Sequence, residues 1–390
     1  MEAKNLLVVT NGFPDKENKY VGGVFVKEQV KCLKNYFEKV YVISPVAYGV
    51  EYLRKTKHED YEFDNVQVRF PKYVNLPLFY FYSRDFWIYL EKRAILKLIQ
   101  KERIKFDLIH AHFTWPSGAV AVELKKKFEV PVVITEHTHI TLYKELKRKN
   151  KQYIRTWGLC DTIIRVNKKD IPLFVEAGVS PNKVFHIVNG YDPHKFKPVL
   201  MDKARERLSL EKDREIILNI SRLYEEKGQK YLIEAIKKIL EYRKDVLCII
   251  GGSGPLKDKL ERQVNDLNLQ DHVKLIGFVP DELLSIWMNA CNLFVMPSLS
   301  ESFGVVQIEA MACGKPVVAT YNGGSEEIIT SKNYGLLCEP ADLDKLAEKI
   351  LIALDKEWDR KRIEEYSKQF AWGSITREII EIYEKILKKA

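Results

Sequence analysis

The stretch PSLSESFGVVQIEAMACGKPVVATYNGGS, residues 297–325, decides how the chain folds. The apolar run LFVM (293–296) leads into it and PVVAT (316–320) lies inside it. Between them, small polar residues give way to an apolar stretch, 304–313, with helical spacing. Strand, loop, helix and strand in this order make a βαβ unit, which builds a parallel sheet. Both strands are continuous apolar runs, the pattern of strands buried on both faces. The helix is expected to begin near Phe303–Gly304, where its first N–H groups lack intrahelical acceptors and its dipole is positive.

The same alternation extends in both directions. IILNI (216–220), VLCII (246–250) and VKLIG (273–277) precede the stretch and GLLCE (335–339) follows it, with helices at 229–242, 255–268, 281–290 and 342–354. An earlier series holds LLVVT (6–10), VYVIS (40–44), VQVRF (66–70), LIHAH (108–112), VVITE (132–136), TIIRV (162–166) and VFHIV (184–188), with helices at 85–103 and 117–128. Two series predict two doubly wound α/β domains, which suits 390 residues. The turn-rich NGYDPHKFKP (189–198) places the boundary near 190–215, with domains over 1–198 and 199–372. Periodicity leaves open whether the last helix, 374–388, finishes the second domain or returns to the first.

With 46% hydrophobic residues the chain is not a disordered one. It has no apolar run of about 20 residues, so no membrane span is expected. MEAKNLLVVTNGFP lacks a signal peptide's layout, so a cytoplasmic location is expected. The six cysteines form no C-x-x-C pair and are expected to be buried free thiols. Residues 1–198 hold 34 Lys and Arg against 22 Asp and Glu, while 199–390 hold 29 against 32. A basic front half suits an anionic membrane surface, nucleic acid or an anionic small molecule.

In open parallel sheets, ligands bind beyond the carboxyl ends of the strands. There the start of the 304–313 helix is a phosphate cradle, with Gly304 permitting close approach. Glu301 and Glu309, either side of it, suit sugar and ribose hydroxyls; a helix cap and a solvated side chain explain them equally well. Arg222 and Lys227, after IILNI, suit a pyrophosphate or a plain solvated loop. CIIGGSGP (248–255) lacks the G-x-G-x-x-G spacing and fits a tight turn. Gly22 and Gly23 precede a helix expected near Val24, as a tight turn or a phosphate approach. The H-x-H pairs His110/His112 and His137/His139 have no companion carboxylate cluster, so no metal is expected. Asp342-Leu343-Asp344 opens a helix and is expected to cap it. The aromatic and basic stretch 72–97 suits a core-packing helix, a membrane anchor or an acceptor cleft.

Together these residues resemble glycosyltransferase family 4 ("glycosyl transferases group 1"), retaining enzymes of the GT-B fold. The family's E-x7-E is met by Glu301 and Glu309, and its A-x-G-x-P-V-V-A by Ala312, Gly314, Pro316 and residues 317–319, followed by Gly323 and Gly324. S-R-L-x-x-x-K-G is met by Ser221–Leu223 with Lys227 and Gly228, and G-x-G-P by Gly252, Gly254 and Pro255. Gly277, Phe278 and Val279 match its G-x-V turn, and Asn189, Gly190 and Asp192 its N-G-x-D turn.

The resemblance implies an α/β GT-B fold: two Rossmann-like doubly wound parallel-sheet domains facing a deep cleft, with the C-terminal helix (373–390) crossing back to the first. It implies a donor diphosphate bound by Arg222 and Lys227, and by backbone amides of Ser302, Phe303, Gly304 and Val305. Glu301 would take donor-sugar hydroxyls, Glu309 the ribose, and Phe278 and Val279 would lie beside the base. His137 would lie near the transferred sugar, and Gly22 and Gly23 would close over the β-phosphate and acceptor. Glu301, His137, Arg222 and Lys227 are therefore the expected catalytic set. No metal and no cofactor is expected beyond a nucleotide-diphosphate sugar, UDP- or GDP-linked, as co-substrate. The expected acceptor is a saccharide or lipid-linked hydroxyl, with peripheral contact to an anionic membrane and none to nucleic acid. An epimerase or hydrolase of the same fold, or a non-enzymatic membrane- or nucleic-acid-binding protein, are the competing expectations.

Overall fold

The computed structural model describes residues 4–17, 22–49, 51–52, 57–75 and 83–388. The chain divides into two units, Met1–Val188 with Trp372–Ala390, and Asn189–Ala371.

In the first unit the chain runs β1 (Asn5–Thr10), α1 (Val24–Leu33), β2 (Lys39–Ile43), β3 (Val46–Ala47), β4 (Tyr61–Phe63), β5 (Val66–Arg69), β6 (Lys72–Tyr73) and α2 (Arg84–Glu102). It continues through β7 (Leu108–His112), α3 (Ala119–Phe128), β8 (Val132–Glu136), α4 (Ile140–Lys147), α5 (Lys151–Leu159), β9 (Thr162–Arg165), α6 (Ile171–Glu176) and β10 (Val184–His186). The main sheet has the order β10-β9-β8-β7-β1-β2-β5-β4. Its pairings are parallel except β4 with β5. Alternate residues of each strand enter different cores. Leu7, Val9, Ile109 and Ile134 face one, and Leu6, Val8, Leu108 and Val133 the other. This two-sided burial is why the strands carry unbroken apolar runs.

The second unit runs α7 (Met201–Arg207), β11 (Glu215–Ile220), α8 (Gln229–Ile239), β12 (Val246–Gly251), α9 (Lys257–Asp266), β13 (Val273–Gly277), α10 (Asp281–Ala290) and β14 (Leu293–Met296). It closes with α11 (Val305–Ala312), β15 (Val317–Thr320), α12 (Ser325–Ile328), β16 (Gly335–Cys338), α13 (Leu343–Asp355) and α14 (Arg360–Ser367). Its sheet is parallel, in the doubly wound order β13-β12-β11-β14-β15-β16.

The last helix, α15 (Trp372–Leu387), belongs to the first unit. Trp372, Ile375, Ile379 and Tyr383 lie on one helical face and join the core that holds Val26, Val30 and Leu33 of α1. Residues 189–198 fall in the second unit, not the first as the turn residues suggested. Side chains hold them there: Asn289 Nδ2 donates to the Lys197 carbonyl at 3.0 Å, and Asn289 Oδ1 accepts the Val199 N–H at 2.8 Å. The Tyr191 N–H donates to the Phe370 carbonyl at 3.0 Å.

Of the stretch 72–97, residues 76–82 lie outside the described ones. The rest forms β6 and most of α2, whose inner face buries Ile88, Glu91, Ile95 and Ile99. Glu91 is the unusual member. It is 1% exposed, and Trp87 Nε1 donates to it at 3.1 Å. Burial lifts its carboxyl to about 7 against the pull of hydrogen bonds from Trp87 and Tyr73. A carboxyl raised on folding adds stability below its unfolded value near 4.5, and that stability is lost as pH rises through 7. Glu91→Gln should therefore melt about 5 °C above the wild type at pH 8 and together with it near pH 4.5. A pH-independent difference in thermal melts would refute this assignment.

Candidate active site

The strand order of the second sheet reverses between β11 and β14. Helices leave neighbouring strands toward opposite faces at such a point, opening a crevice at the carboxyl ends. The loop after β11 carries Arg222 and Lys227, and the loop after β14 carries Glu301, Ser302, Phe303 and Gly304. Lys227 Nζ meets Glu301 Oε1 at 2.6 Å, with their side chains 14% and 9% exposed. Backbone bonds fix this pair. The Leu299 N–H donates to the Glu226 carbonyl at 2.8 Å, and the Glu301 N–H to the Asn322 carbonyl at 2.8 Å. Asn322 Oδ1 in turn accepts the Gly324 and Ser325 N–H groups, at 3.1 and 2.9 Å. Loops after three adjacent strands are thus knitted together.

Gly304, not Glu301, precedes the first turn of α11, with φ 92° and no side-chain cap. A left-handed residue here suits glycine, and it starts the helix directly after the Glu301 loop. Phe303 is buried beneath, edge-on to Phe370 with ring centroids 6.0 Å apart. Ser302, Val305 and Glu309 are half-buried along the loop and helix. Arg222 is exposed, 3.9 Å from Glu226 and stacked over the Tyr224 ring at 5.0 Å. The glycine turn after β12 braces its loop: the Ser221 N–H donates to the Gly251 carbonyl at 3.0 Å, and the Leu223 N–H to that of Ser253 at 2.9 Å. Phe278 is exposed and Val279 buried just past β13. Asp342 caps α13, its Oδ1 accepting the Lys345 N–H at 2.9 Å.

The first sheet has its own reversal, between β1 and β7. After β1 come Gly22 and Gly23. Gly23 starts α1 with φ 76°, and a Cβ there would lie 2.1 Å from the Gly12 carbonyl oxygen, so no other residue fits without a shift. His112 ends β7 and His137 follows β8. His112 Nδ1 and His137 Nε2 are 2.9 Å apart, and His137 packs on Phe25 and Phe113 with centroids at 4.6 and 5.1 Å. No group of three metal-ligating side chains converges among the described residues.

Several supporting residues were missed in the sequence. Buried Glu136 accepts the Thr114 N–H at 2.9 Å and the Thr138 N–H at 2.7 Å, pinning both loops beside His137. Buried Arg165 donates to the Glu136 carbonyl at 2.7 Å and pairs with Asp170. Burial works to raise the Asp170 carboxyl, but hydrogen bonds from His139 and Arg165 prevail and hold it low. The one signal was a charged residue inside the apolar run TIIRV. Lys315 is buried beneath β14 and α10, donating to the Asn289 and Cys291 carbonyls at 2.7 and 2.9 Å. Burial lowers its ammonium to about 8.

Two family models match the chain, Glycosyltransferase Family 4 over residues 22–195 and Glycosyl transferases group 1 over 201–370. An uncharacterised glycosyltransferase of Methanocaldococcus jannaschii is 33% identical over 74% of this chain and 78% of its own. A Corynebacterium glutamicum GDP-mannose-dependent monoacylated α-(1-6)-phosphatidylinositol monomannoside mannosyltransferase is 26% identical over 90% and 89%. Among solved structures, sucrose-phosphate synthase from Thermosynechococcus elongatus superposes with a TM-score of 0.78 at 21% identity, covering 99% of this chain and 100% of that one. Anabaena HepE in complex with UDP-glucose gives 0.75 at 23%, covering 98% and 100%. The two doubly wound units are therefore those of a GT-B protein. The chain belongs to glycosyltransferase family 4 and is a glycosyltransferase.

If Lys227 and Glu301 hold each other as the geometry shows, their substitutions will not be additive. A cycle of Lys227→Met, Glu301→Gln and the double variant should give about 1–3 kcal/mol of coupling in chemical denaturation. Additive losses would mean the pair is not formed in solution.

Proposed function

We propose that the protein is a retaining glycosyltransferase that moves a sugar from a UDP- or GDP-linked donor to a hydroxyl of a saccharide or lipid-linked acceptor, without a metal ion. The observation that carries this is the Lys227–Glu301 pair beside the start of α11. An ammonium has three N–H groups; with one on Glu301, two remain for phosphate oxygens. A carboxylate 2.6 Å away can accept from a neighbouring sugar hydroxyl. Cation and acceptor side by side match what a sugar-phosphate linkage presents.

Breaking that linkage leaves positive charge on the anomeric carbon and negative charge on the phosphate. Lys227, Arg222 and the first amides of α11, including Val305, stabilise the phosphate, the work a metal would otherwise do. Glu301, already engaged by Lys227, binds donor-sugar hydroxyls and is not the nucleophile. The acceptor hydroxyl attacks from the leaving-group face, and the departing phosphate takes its proton. Glu309 takes the ribose, with Phe278 and Val279 beside the base. His137, Gly22 and Gly23 serve the transferred sugar and the acceptor. Two comparisons support the donor class: the Corynebacterium relative is named for GDP-mannose dependence, and HepE was solved with UDP-glucose.

The protein works in the cytoplasm, on the inner face of an anionic membrane. No described helix is long and apolar enough to cross one. Phe86, Tyr89, Ile140, Tyr143 and Ile154 are exposed on α2, α4 and α5, among Lys144, Lys147, Arg148, Lys149 and Lys151. Arg84 clamps Glu145 at 3.0 and 3.1 Å, joining α2 to α4. Exposed apolar groups on helices that also carry exposed cations suit an anionic lipid surface.

Arg222→Ala, with unchanged melting, and Lys227→Ala, which should also melt lower because Glu301 loses its partner, should each lower transfer on the order of 10²-fold or more, and a chelator should leave the rate intact. Near-normal transfer in both variants, or an absolute need for manganese, would overturn the assignment. Vesicles rich in phosphatidylglycerol should sediment the protein at low salt and release it at high salt; equal binding to neutral vesicles would count against the membrane face.

A further inference from the structure

At the reversal of the second sheet lies a relay of polar side chains that the proposed chemistry does not yet use. The backbone ladder between β11 and β14 joins Ile217 to Leu293 and Leu218 to Phe294. One residue further on, a side chain takes over: Asn219 Nδ2 donates to the Val295 carbonyl at 2.8 Å. Asn219 Oδ1 lies 3.3 Å from Ser221 Oγ, and Gln229 Nε2, at the start of α8, lies 2.8 Å from the same hydroxyl. Gln229 Nε2 also donates to the Arg222 carbonyl at 2.9 Å. Asn219 and Gln229 are each 1% exposed.

The direction of every bond follows from its ends. The Val295 and Arg222 carbonyls only accept, so each must face an amide nitrogen and not an amide oxygen. With Gln229 Nε2 donating to Ser221 Oγ, the hydroxyl proton goes to Asn219 Oδ1. The relay thus runs from Gln229 through Ser221 and Asn219 to the backbone of β14. Gln229 keeps this orientation although its Oε1 is buried without a hydrogen-bond partner among the described residues. The residues that α8 buries after it, Leu232, Ile233, Ala235, Ile236 and Ile239, are all apolar. An apolar side chain at 229 would leave no orphaned oxygen, so packing alone does not account for a glutamine there.

We propose that Gln229, Ser221 and Asn219 are positioning residues that set the backbone at Arg222 against β14. The Arg222 side chain is exposed, and its neighbours, Glu226 at 3.9 Å and the Tyr224 ring, belong to its own loop and move with it. Where the guanidinium reaches is therefore decided by where the backbone is anchored. The Ser221 and Leu223 amides tie the loop to the glycine turn after β12, and beside Arg222 the relay ties it to β14. That Arg222 meets a donor phosphate rests on the transferase reading; the anchoring itself does not.

Two measurements test this. In the free protein, hydrogen–deuterium exchange read by mass spectrometry should be about 10-fold faster over residues 222–228 in Gln229→Met, with residues 301–305 unchanged. Equal exchange in variant and wild type, or equal acceleration of both loops, overturns the proposal. Because this measurement needs no substrate, its failure is separate from failure of the transferase assignment. For function, Gln229→Met alone should lower donor kcat/KM about 10-fold with the acceptor KM nearly unchanged. Added to Arg222→Ala it should cost less than about 2-fold, because the side chain it positions is already gone. A full second loss in that background refutes action through Arg222. Normal transfer by Arg222→Ala alone refutes the donor reading instead, and the exchange data then decide the anchoring. If Gln229→Met does not fold, Ser221→Ala, which breaks the relay at its middle, is held to the same outcomes.

Discussion

The ion pair between Lys227 and Glu301 is the contact on which the rest depends. It joins loops from the two strands on either side of the second sheet's reversal, so it forms only if β11 and β14 are neighbours. Two opposite charges that are mostly withdrawn from water lose solvation, and a good mutual fit must offset that loss. Here the fit is set by backbone bonds from Leu299 and Glu301 and by the Asn322 carboxamide, which hold the loops before any ligand arrives. Loops organised in this way would have less reordering to do on binding the proposed diphosphate.

The first unit solves a similar problem with hydrogen bonds to a buried carboxylate. Glu136 gathers amides from the loops after β7 and β8, and Arg165 ties it to Asp170. His137 is held between this polar frame and the rings of Phe25 and Phe113. In both units strongly polar groups sit at the carboxyl ends of strands whose interiors are mainly apolar. The strands supply stability; the rigidity needed for recognition is concentrated at their ends.

Much of this was legible in the residues. Continuous apolar runs gave every long strand, because burial on both faces removes the polar alternation that marks a half-exposed sheet. The short edge strand Tyr61–Phe63 and the two-residue pair β3 and β6 left no period to detect. The spacing of Arg222, Lys227, Glu301 and Gly304 singled out the candidate site, but not that Lys227 would already be paired. Spacing along the chain cannot show a contact between loops 74 residues apart in sequence. For the same reason the H-x-H pair suggested metal chemistry to be weighed, whereas its histidines bond to Tyr383, Thr135 and His137, all distant in the chain.

We propose that the Lys227–Glu301 pair and the first amides of α11 receive a nucleotide's diphosphate. A crystal structure of the protein with UDP or GDP tests it most directly. Phosphate oxygens should lie within hydrogen-bond distance of Lys227 Nζ and of the Gly304–Val305 amides, with Glu301 still beside the lysine. A well-ordered diphosphate bound away from both would contradict it.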